Sequence, residues 1–114
     1  MNFFASWCIG CIEEHDDLVR FDTRTGPCKT DLIGVAIEDR ASAVRKFFDD
    51  QGGGDWPVLV GDGTVQAIAG YRVTAPPETV VIAPNGQVIQ KWIGAVTTDD
   101  LESFFGQMGC PVDG

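Results

Sequence analysis

The segment Trp7-Cys8-Ile9-Gly10-Cys11 constrains this 114-residue chain more than any other, because its two cysteines stand between a strand-like and a helix-like stretch. Cys8 falls at the start of the predicted helix, where free N–H groups and the helix dipole stabilise a thiolate. Cys11 lies one turn later on the same side, within reach of a disulfide. The pair predicts a redox-active dithiol, in which Cys8 attacks a disulfide and Cys11 resolves the mixed disulfide.

Two other interpretations of the cysteine pair stay open at this point. A structural disulfide that closes so short a loop would constrain the unfolded chain little. A zinc site would need a second pair of ligands, but Cys28 and Cys110 stand apart in sequence and His15 is the only histidine. We therefore expect no metal and no organic cofactor, because the dithiol itself can carry two electrons.

The overall composition excludes several classes of function. The chain has 17 acidic against 8 basic residues and a net charge of −9, which argues against nucleic acid or an anionic membrane as its main partner. No stretch approaches the roughly 18 consecutive apolar residues of a membrane span, and we expect no signal peptide within this chain. The length predicts one domain, residues 1–114.

The apolar periodicity predicts the order strand, helix, strand, helix, hairpin, helix. In numbers, the elements are a strand ending near residue 5, a helix from 8 to about 20, a strand at 31–37, a helix at about 40–51, a short strand at 56–60, a short helix within 62–71, a hairpin of strands 79–83 and 87–93, and a last helix capped by Thr97 or Thr98. The first half is a βαβ unit with a right-handed crossover, and the second half is ββα. One mixed sheet with helices on both faces would bury the apolar faces, which makes this an α/β fold.

Glu14 lies one helical turn after Cys11, on the side predicted to face the sheet beneath the dithiol. A partly desolvated carboxyl group there could accept or donate the proton of the resolving thiol. The alternative is a solvated acid within the charged run at residues 13–17. His15 is more typical of a partly buried helix residue than of a catalyst.

Pro76 and Pro77 open the third predicted strand, and Glu78 follows them directly. A proline at this place sets a turn, or it forms a cis bond whose backbone faces the redox site. Glu78 lies either near the dithiol or merely at a strand end. Trp7 would supply an apolar wall beside an exposed sulfur of Cys8.

With these residues in place, the chain resembles the thioredoxin-like superfamily, in particular the TlpA/ResA/DsbE-like thiol:disulfide oxidoreductases of cytochrome c biogenesis. The matching segments are Asn2-Phe3-Phe4-Ala5-Ser6-Trp7-Cys8 with Cys11, the acid Glu14, Pro77-Glu78-Thr79-Val80-Val81-Ile82, Pro84-Asn85-Gly86 and Lys91-Trp92-Ile93-Gly94. The similarity runs nearly from end to end, and it implies a thioredoxin-like fold.

The resemblance also implies a role for each matching residue. The catalytic set would be the nucleophile Cys8, the resolving Cys11, the buried acid Glu14 and the cis-proline Pro77, with Trp7, Pro76 and Glu78 at the substrate. The implied reaction is reduction of disulfides in extracytoplasmic proteins such as apocytochrome c, in the bacterial periplasm or at the extracytoplasmic face, with electrons from a membrane thiol carrier. A peroxidase-type redoxin and a copper-delivery module on the same scaffold remain alternatives.

Three departures from the family pattern carry their own expectations. Gly10 stands where the family often has proline, so the redox potential does not transfer. The chain begins inside the expected central strand, which suggests an N-terminally shortened form that self-associates through exposed sheet edges. Cys28 and Cys110 are extra to the family motif, and they either form a structural disulfide or stay as separate thiols.

The acidic run after Cys11 predicts a comparatively reducing dithiol, because it disfavours the thiolate.

Overall fold

A five-stranded mixed sheet, in the order β3-β2-β1-β4-β5, forms the centre of the computed structural model, which describes residues 1–23 and 30–109. The elements in chain order are β1 (Asn2–Phe4), α1 (Ile9–Asp22), β2 (Gly34–Ala36), α2 (Ala41–Asp50), β3 (Val58–Leu59), α3 (Gly63–Gly70), β4 (Glu78–Ile82), β5 (Val88–Ile93) and α4 (Thr98–Gln107). The predicted α/β fold and its order of elements are confirmed.

The strands of the two halves of the chain pair as predicted, in parallel in the first half and as an antiparallel hairpin in the second. β1 runs parallel to β2, with Phe3 opposite Val35, and β2 runs parallel to β3. β1 also runs antiparallel to β4, with Asn2 opposite Thr79, and β4 continues into β5 as an antiparallel hairpin. The central position of β1 places the segment that follows it, Trp7 to Cys11, at one end of the sheet.

Adjacent residues of β1 serve opposite faces of the sheet, because side chains alternate along a strand. Phe4 packs with the two cysteines and with Val44 and Phe47 of α2. Phe3 packs on the other face in a separate cluster with Val35, Ile37, Val73 and Val80. The dithiol segment therefore borders the first of these clusters.

Local hydrogen bonds mark the ends of the hairpin and of α4. Gly86 takes a positive φ of 89°, and its N–H donates to the Ala83 carbonyl in the turn between β4 and β5. Thr97 caps α4 in a reciprocal capping box with Asp100. Of the two threonines predicted as caps, Thr97 is the one used.

The spacing of apolar residues predicts a shared face of Val65, Ile68 and Ala69 in the helix within 62–71, and a core face of the last helix that includes Met108. Both predictions are wrong in part. Val65 and Ala69 of α3 face solvent, Val65 with 67% exposure, while Thr64 is buried. Apolar residues occur on several sides of α3, so their pattern alone does not determine which face of the helix is buried. Met108 is 54% exposed, because α4 ends one residue before it. The ladder of β2 covers only three residues of the predicted strand 31–37, since its partners β1 and β3 are equally short or shorter.

The helices of the described ranges are all too short or too polar to span a bilayer.

Candidate active site

Cys8 and Cys11 are joined in a disulfide at the start of α1, with their Cα atoms 5.3 Å apart. Cys8 is the N-cap residue, and its Sγ accepts the Cys11 N–H at 3.2 Å. Cys11 is 1% exposed and Cys8 is 7% exposed. Cys8 is thus less exposed than expected from the sequence, but it is the more exposed of the two cysteines.

Exposed apolar side chains surround the entrance to Cys8. Trp7 is 57% exposed and Ile9 is 75% exposed. The Trp7 indole N–H donates to the Glu38 carbonyl at 3.3 Å, and the Ser6 N–H donates to Asp39 Oδ2 at 2.7 Å. These two hydrogen bonds fix the turn that leads into the dithiol. They also hold the exposed Trp7 ring in place next to Cys8.

Pro77 lies against the dithiol segment. The Pro76–Pro77 bond is cis, and Pro77 is buried. A Cβ atom built on Gly10 would stand 3.1 Å from Pro77 Cδ, so the proline ring closely covers the residue before Cys11. The Pro77 carbonyl accepts the Gly94 N–H at 2.9 Å, which ties this loop to the end of β5. The tertiary structure thereby brings together Gly10 and Pro77, which are 67 positions apart in sequence.

Glu78 lies beneath the proline loop with 1% exposure. Its Oε2 accepts the N–H groups of Thr74 and Ala75 and the Thr74 hydroxyl, at 3.0 to 3.2 Å. Its Oε1 pairs with Lys91 Nζ at 3.0 Å, and the same ammonium group donates to the carbonyl oxygens of Tyr71 and Arg72. Burial alone would raise the pKa of Glu78, but these bonds outweigh it and hold the pKa below its ordinary value. Glu78 anchors the loop that carries Pro77, while its expected contact with substrate stays a prediction.

Glu14 is buried under the dithiol helix with 1% exposure. Its Oε2 accepts Asn2 Nδ2 at 2.7 Å, and its Oε1 accepts the Val96 N–H at 3.1 Å. Burial raises the pKa of Glu14 to about 7, a shift that these hydrogen bonds reduce and the nearby charge of Asp17 increases. A carboxyl group with this pKa can take up or release a proton near neutral pH.

His15 lies on another side of α1, inside a box of aromatic rings. Its ring stands 4.7 to 5.4 Å from the rings of Phe47, Phe48 and Trp56, and its Nε2 bonds with the Gly53 carbonyl at 2.7 Å. Burial lowers the pKa of His15. With its ring against Phe47 and Phe48 and its Nε2 bonded to Gly53, His15 packs α1 against α2 and the loop that follows α2. Within residues 1–23 and 30–109, no cluster of three or more His, Cys, Asp or Glu side chains is arranged to hold a metal ion.

Two residues of this site were missed by the sequence analysis. Asn2 bonds to Glu14 and Lys91 pairs with Glu78, and in each case the acid lies on a different helix or strand. A polar side chain in the apolar run of residues 1–5 is the signal that could have found Asn2. Cys28 and Cys110 lie outside the described residues, so their pairing stays a prediction.

Comparison with known proteins agrees with this geometry. The sequence model of the Redoxin family matches residues 1–107. The thiol:disulfide interchange protein DsbE homolog of Paracoccus denitrificans is 30% identical over 105 residues, covering 92% of this chain and 55% of the relative. The thiol-disulfide oxidoreductase ResA of Bacillus cereus is 27% identical over 104 residues, covering 91% of this chain and 59% of the relative. The chain thus spans a little over half the length of these curated relatives.

Among solved structures, a thioredoxin family protein of Chlorobium tepidum TLS, described as a thiol:disulfide interchange protein, superposes with a TM-score of 0.78 at 24% identity. The match covers 93% of this chain and 75% of that one. It confirms the thioredoxin-like fold. From the family match over nearly its whole length, this chain belongs to the Redoxin family.

Proposed function

We propose that this chain is a thiol:disulfide oxidoreductase that reduces disulfide bonds in other proteins through Cys8 and Cys11. The observation that carries the proposal is the disulfide at the N-terminus of α1, with its more accessible cysteine at the cap position. The relatives named thiol:disulfide interchange protein and thiol-disulfide oxidoreductase support it.

The reaction starts from the reduced dithiol. The Cys8 thiolate attacks one sulfur of the substrate disulfide, so that the substrate S–S bond breaks and its other sulfur leaves as a thiolate that takes a proton. Cys11 then loses its proton to Glu14, and its thiolate attacks Cys8 Sγ. The mixed disulfide breaks, and the second substrate sulfur leaves and takes up the proton that Glu14 releases, so that Glu14 is again a carboxylate and Cys8–Cys11 is oxidised. Two electrons have passed to the substrate, with one proton from Cys11 and one from solvent.

Three further features of the site support these reaction steps. The helix N-terminus stabilises the Cys8 thiolate, and the Cys11 N–H already donates to that sulfur at 3.2 Å. The exposed rings and chains of Trp7 and Ile9 offer an apolar surface to a protein substrate. Pro77 packs against Gly10, between the two cysteines.

The substrate class and location follow from the resemblance to the cytochrome c biogenesis branch. We propose the cysteine pair of an apocytochrome c as the substrate, on the periplasmic or outer side of a bacterial membrane, and a membrane thiol protein as the electron donor. The acidic run after Cys11 disfavours extra negative charge nearby, which supports a reducing dithiol.

The decisive experiment measures reduction of a disulfide-bonded Cys-x-x-Cys-His peptide by the reduced protein. Cys8→Ser should abolish the reaction, and Cys11→Ser should leave a mixed disulfide between Cys8 and the peptide that mass spectrometry detects. The double variant Cys28→Ser, Cys110→Ser is the matched control and should keep the wild-type rate.

Two results would overturn the proposal. One is a Cys8→Ser variant that still reduces the peptide. The other is a wild-type protein that consumes hydrogen peroxide rapidly and leaves the peptide oxidised, which would identify the peroxidase-type alternative. A reduction potential as high as that of a strong disulfide oxidase would contradict the proposed direction of electron flow.

Self-association of the chain is a separate proposal. Ile93, on the edge strand β5, is 79% exposed, and Leu59 on the opposite edge strand is 41% exposed. Such edges can pair with a second copy. Light scattering at high protein concentration tests this, and a monomer throughout the concentration range would refute it.

A further inference from the structure

A buried amide bridges the acid of α1 and the strand that follows the proline loop. Asn2 is 2% exposed, and its Nδ2 donates to Glu14 Oε2 at 2.7 Å and to Thr79 Oγ1 at 3.0 Å. Thr79 is 3% exposed. The proton transfer proposed above uses Glu14 but assigns nothing to Asn2 or Thr79.

The present arrangement suits a charged Glu14. Both hydrogens of the Asn2 amide are donated, one to the carboxylate and one to the threonine hydroxyl. The second carboxylate oxygen accepts the Val96 N–H. A proton placed on Oε2 would point at the Asn2 N–H group, so a protonated Glu14 needs a different partner at this place.

Rotation of the Asn2 amide by half a turn supplies that partner. Its carbonyl oxygen would then occupy the position of Nδ2, and this oxygen has two lone pairs. One accepts the Glu14 O–H, and the other accepts the Thr79 O–H, since a hydroxyl group can rotate from accepting to donating. The hydrogen bonds of Asn2 to Glu14 and to Thr79 are thereby kept in both protonation states.

We propose that Asn2 is a positioning residue that lets Glu14 gain and lose a proton in place, by reversing its amide between Glu14 and Thr79. This inference rests on the proposed function, in which Glu14 takes the proton of Cys11. It predicts that the exchange needs no movement of α1 against the sheet.

The surroundings of Glu14 contain few other groups that could perform this exchange. On α1 itself, Asp17 lies one turn further on, and its negative charge opposes ionisation of Glu14, while Cys11 lies one turn before it. The sheet contributes the neutral side chains of Asn2 and Thr79. The connection between β5 and α4 contributes the Val96 N–H, which can only donate.

The first arm of the test is a direct titration of Glu14. The pH dependence of carboxyl carbon signals in NMR spectra is measured for the oxidised protein, and the signal missing from Glu14→Gln is assigned to Glu14. Asn2→Asp keeps the shape but offers only acceptors and a second acid, so Glu14 should hold its proton to a pH at least one unit higher. Asn2→Ser keeps a group that both donates and accepts, so it should stay near the wild type.

The second arm is the pH profile of peptide reduction. The rate should rise with pH as Glu14 loses its proton, because only the carboxylate accepts a proton from Cys11. In Asn2→Asp this rise should move to higher pH, with a loss of at least about fivefold in rate at pH 7, since raising the pKa from about 7 by one unit lowers the deprotonated fraction from about a half to about a tenth. Asn2→Ser should restore most of that rate.

The controls separate this role from a structural one. Asn85→Ala removes an exposed amide in the hairpin turn and should leave both arms unchanged. Thr79→Val, which keeps Asn2, should shift the Glu14 titration, but less than Asn2→Asp, and it covers the case that Asn2→Asp does not fold. A Glu14 titration that Thr79→Val leaves identical to that of the wild type, together with an unmoved titration in Asn2→Asp where that variant folds, overturns the switch. A wild type that reduces no peptide defeats the proposed function, whereas the titration arm still decides the role of Asn2.

Discussion

Pro77 and Gly10 are packed so closely that a methyl group on Gly10 would lie 3.1 Å from Pro77 Cδ and 3.4 Å from Pro77 Cγ. The proline has little freedom to withdraw. Its carbonyl is bonded to the Gly94 N–H, and the next residue, Glu78, is buried and held by the Thr74 backbone. A side chain at position 10 would therefore crowd the Pro77 ring in this packing.

Gly10→Ala should destabilise the oxidised protein by about 1 kcal/mol, because crowding a packed contact costs on this order and offsets the better helix propensity of alanine. Urea unfolding of the oxidised protein measures this. Gly106→Ala in α4 is the matched control, since its Cβ would meet no atom within 4 Å, and it should gain roughly 0.5 kcal/mol. Equal gains for both variants would contradict the contact.

Glu14 should make the protein less stable as the pH rises. Burial raises its pKa from 4.5 to about 7, so between these values the native chain holds a proton that the unfolded chain has released. Stability then falls with pH, by about 3 kcal/mol in total at roughly 1.4 kcal/mol per unit. Glu14→Gln should lose this slope, measured by urea unfolding from pH 4 to 8. Parallel stability curves for the two proteins would refute the raised pKa.

Lys91→Met should weaken the anchor of the proline loop, because buried Glu78 loses its cation while the alkyl chain is retained. Lys91 is 29% exposed, so we expect a loss of about 2 kcal/mol, less than for a fully buried pair. The low pKa of Glu78 stabilises the fold above its unfolded pKa, and this contribution disappears as the pH falls. The difference between the two proteins should therefore shrink in acid.

The control for this variant is Lys46→Met, which breaks the exposed pair with Asp50 on α2. Its midpoint in urea should hardly change. A Lys91→Met protein with the same urea midpoint as Lys46→Met at neutral pH would show that Lys91 does not anchor the loop.

Asp17→Ala should detach the start of α4 from α1. Asp17 Oδ1 accepts the Thr98 N–H at 2.9 Å and the Thr98 hydroxyl at 2.6 Å, and these bonds help hold the pKa of Asp17 low against the effect of burial. Their loss should cost about 1 to 2 kcal/mol in thermal or urea unfolding. Asp99→Ala, an exposed acid in the first turn of the same helix, should cost less. Equal losses of stability in Asp17→Ala and Asp99→Ala would mean that these acids act mainly through the dipole of α4, and not through the bonds of Asp17 to Thr98.

The features predicted correctly depend on residues that are close in sequence. The dithiol at the start of α1, the hairpin at Gly86 and the cap at Thr97 each arise from groups within about four positions of one another. Apolar periodicity gave the order of strands and helices for the same reason. It failed at α3, where apolar residues stand on several sides and the buried residue is Thr64.

By itself, the sequence determined a thioredoxin-like order of elements and a cysteine pair at a helix start, since both follow from local backbone preferences. Only the tertiary structure decided that Pro77 covers Gly10, that Lys91 binds Glu78 and that Asn2 joins Glu14 to Thr79. These partners come from different strands and helices, and the register of β1 against β4 is what brings Asn2 opposite Thr79. Register is set by the packing of a whole sheet face, which no short segment specifies.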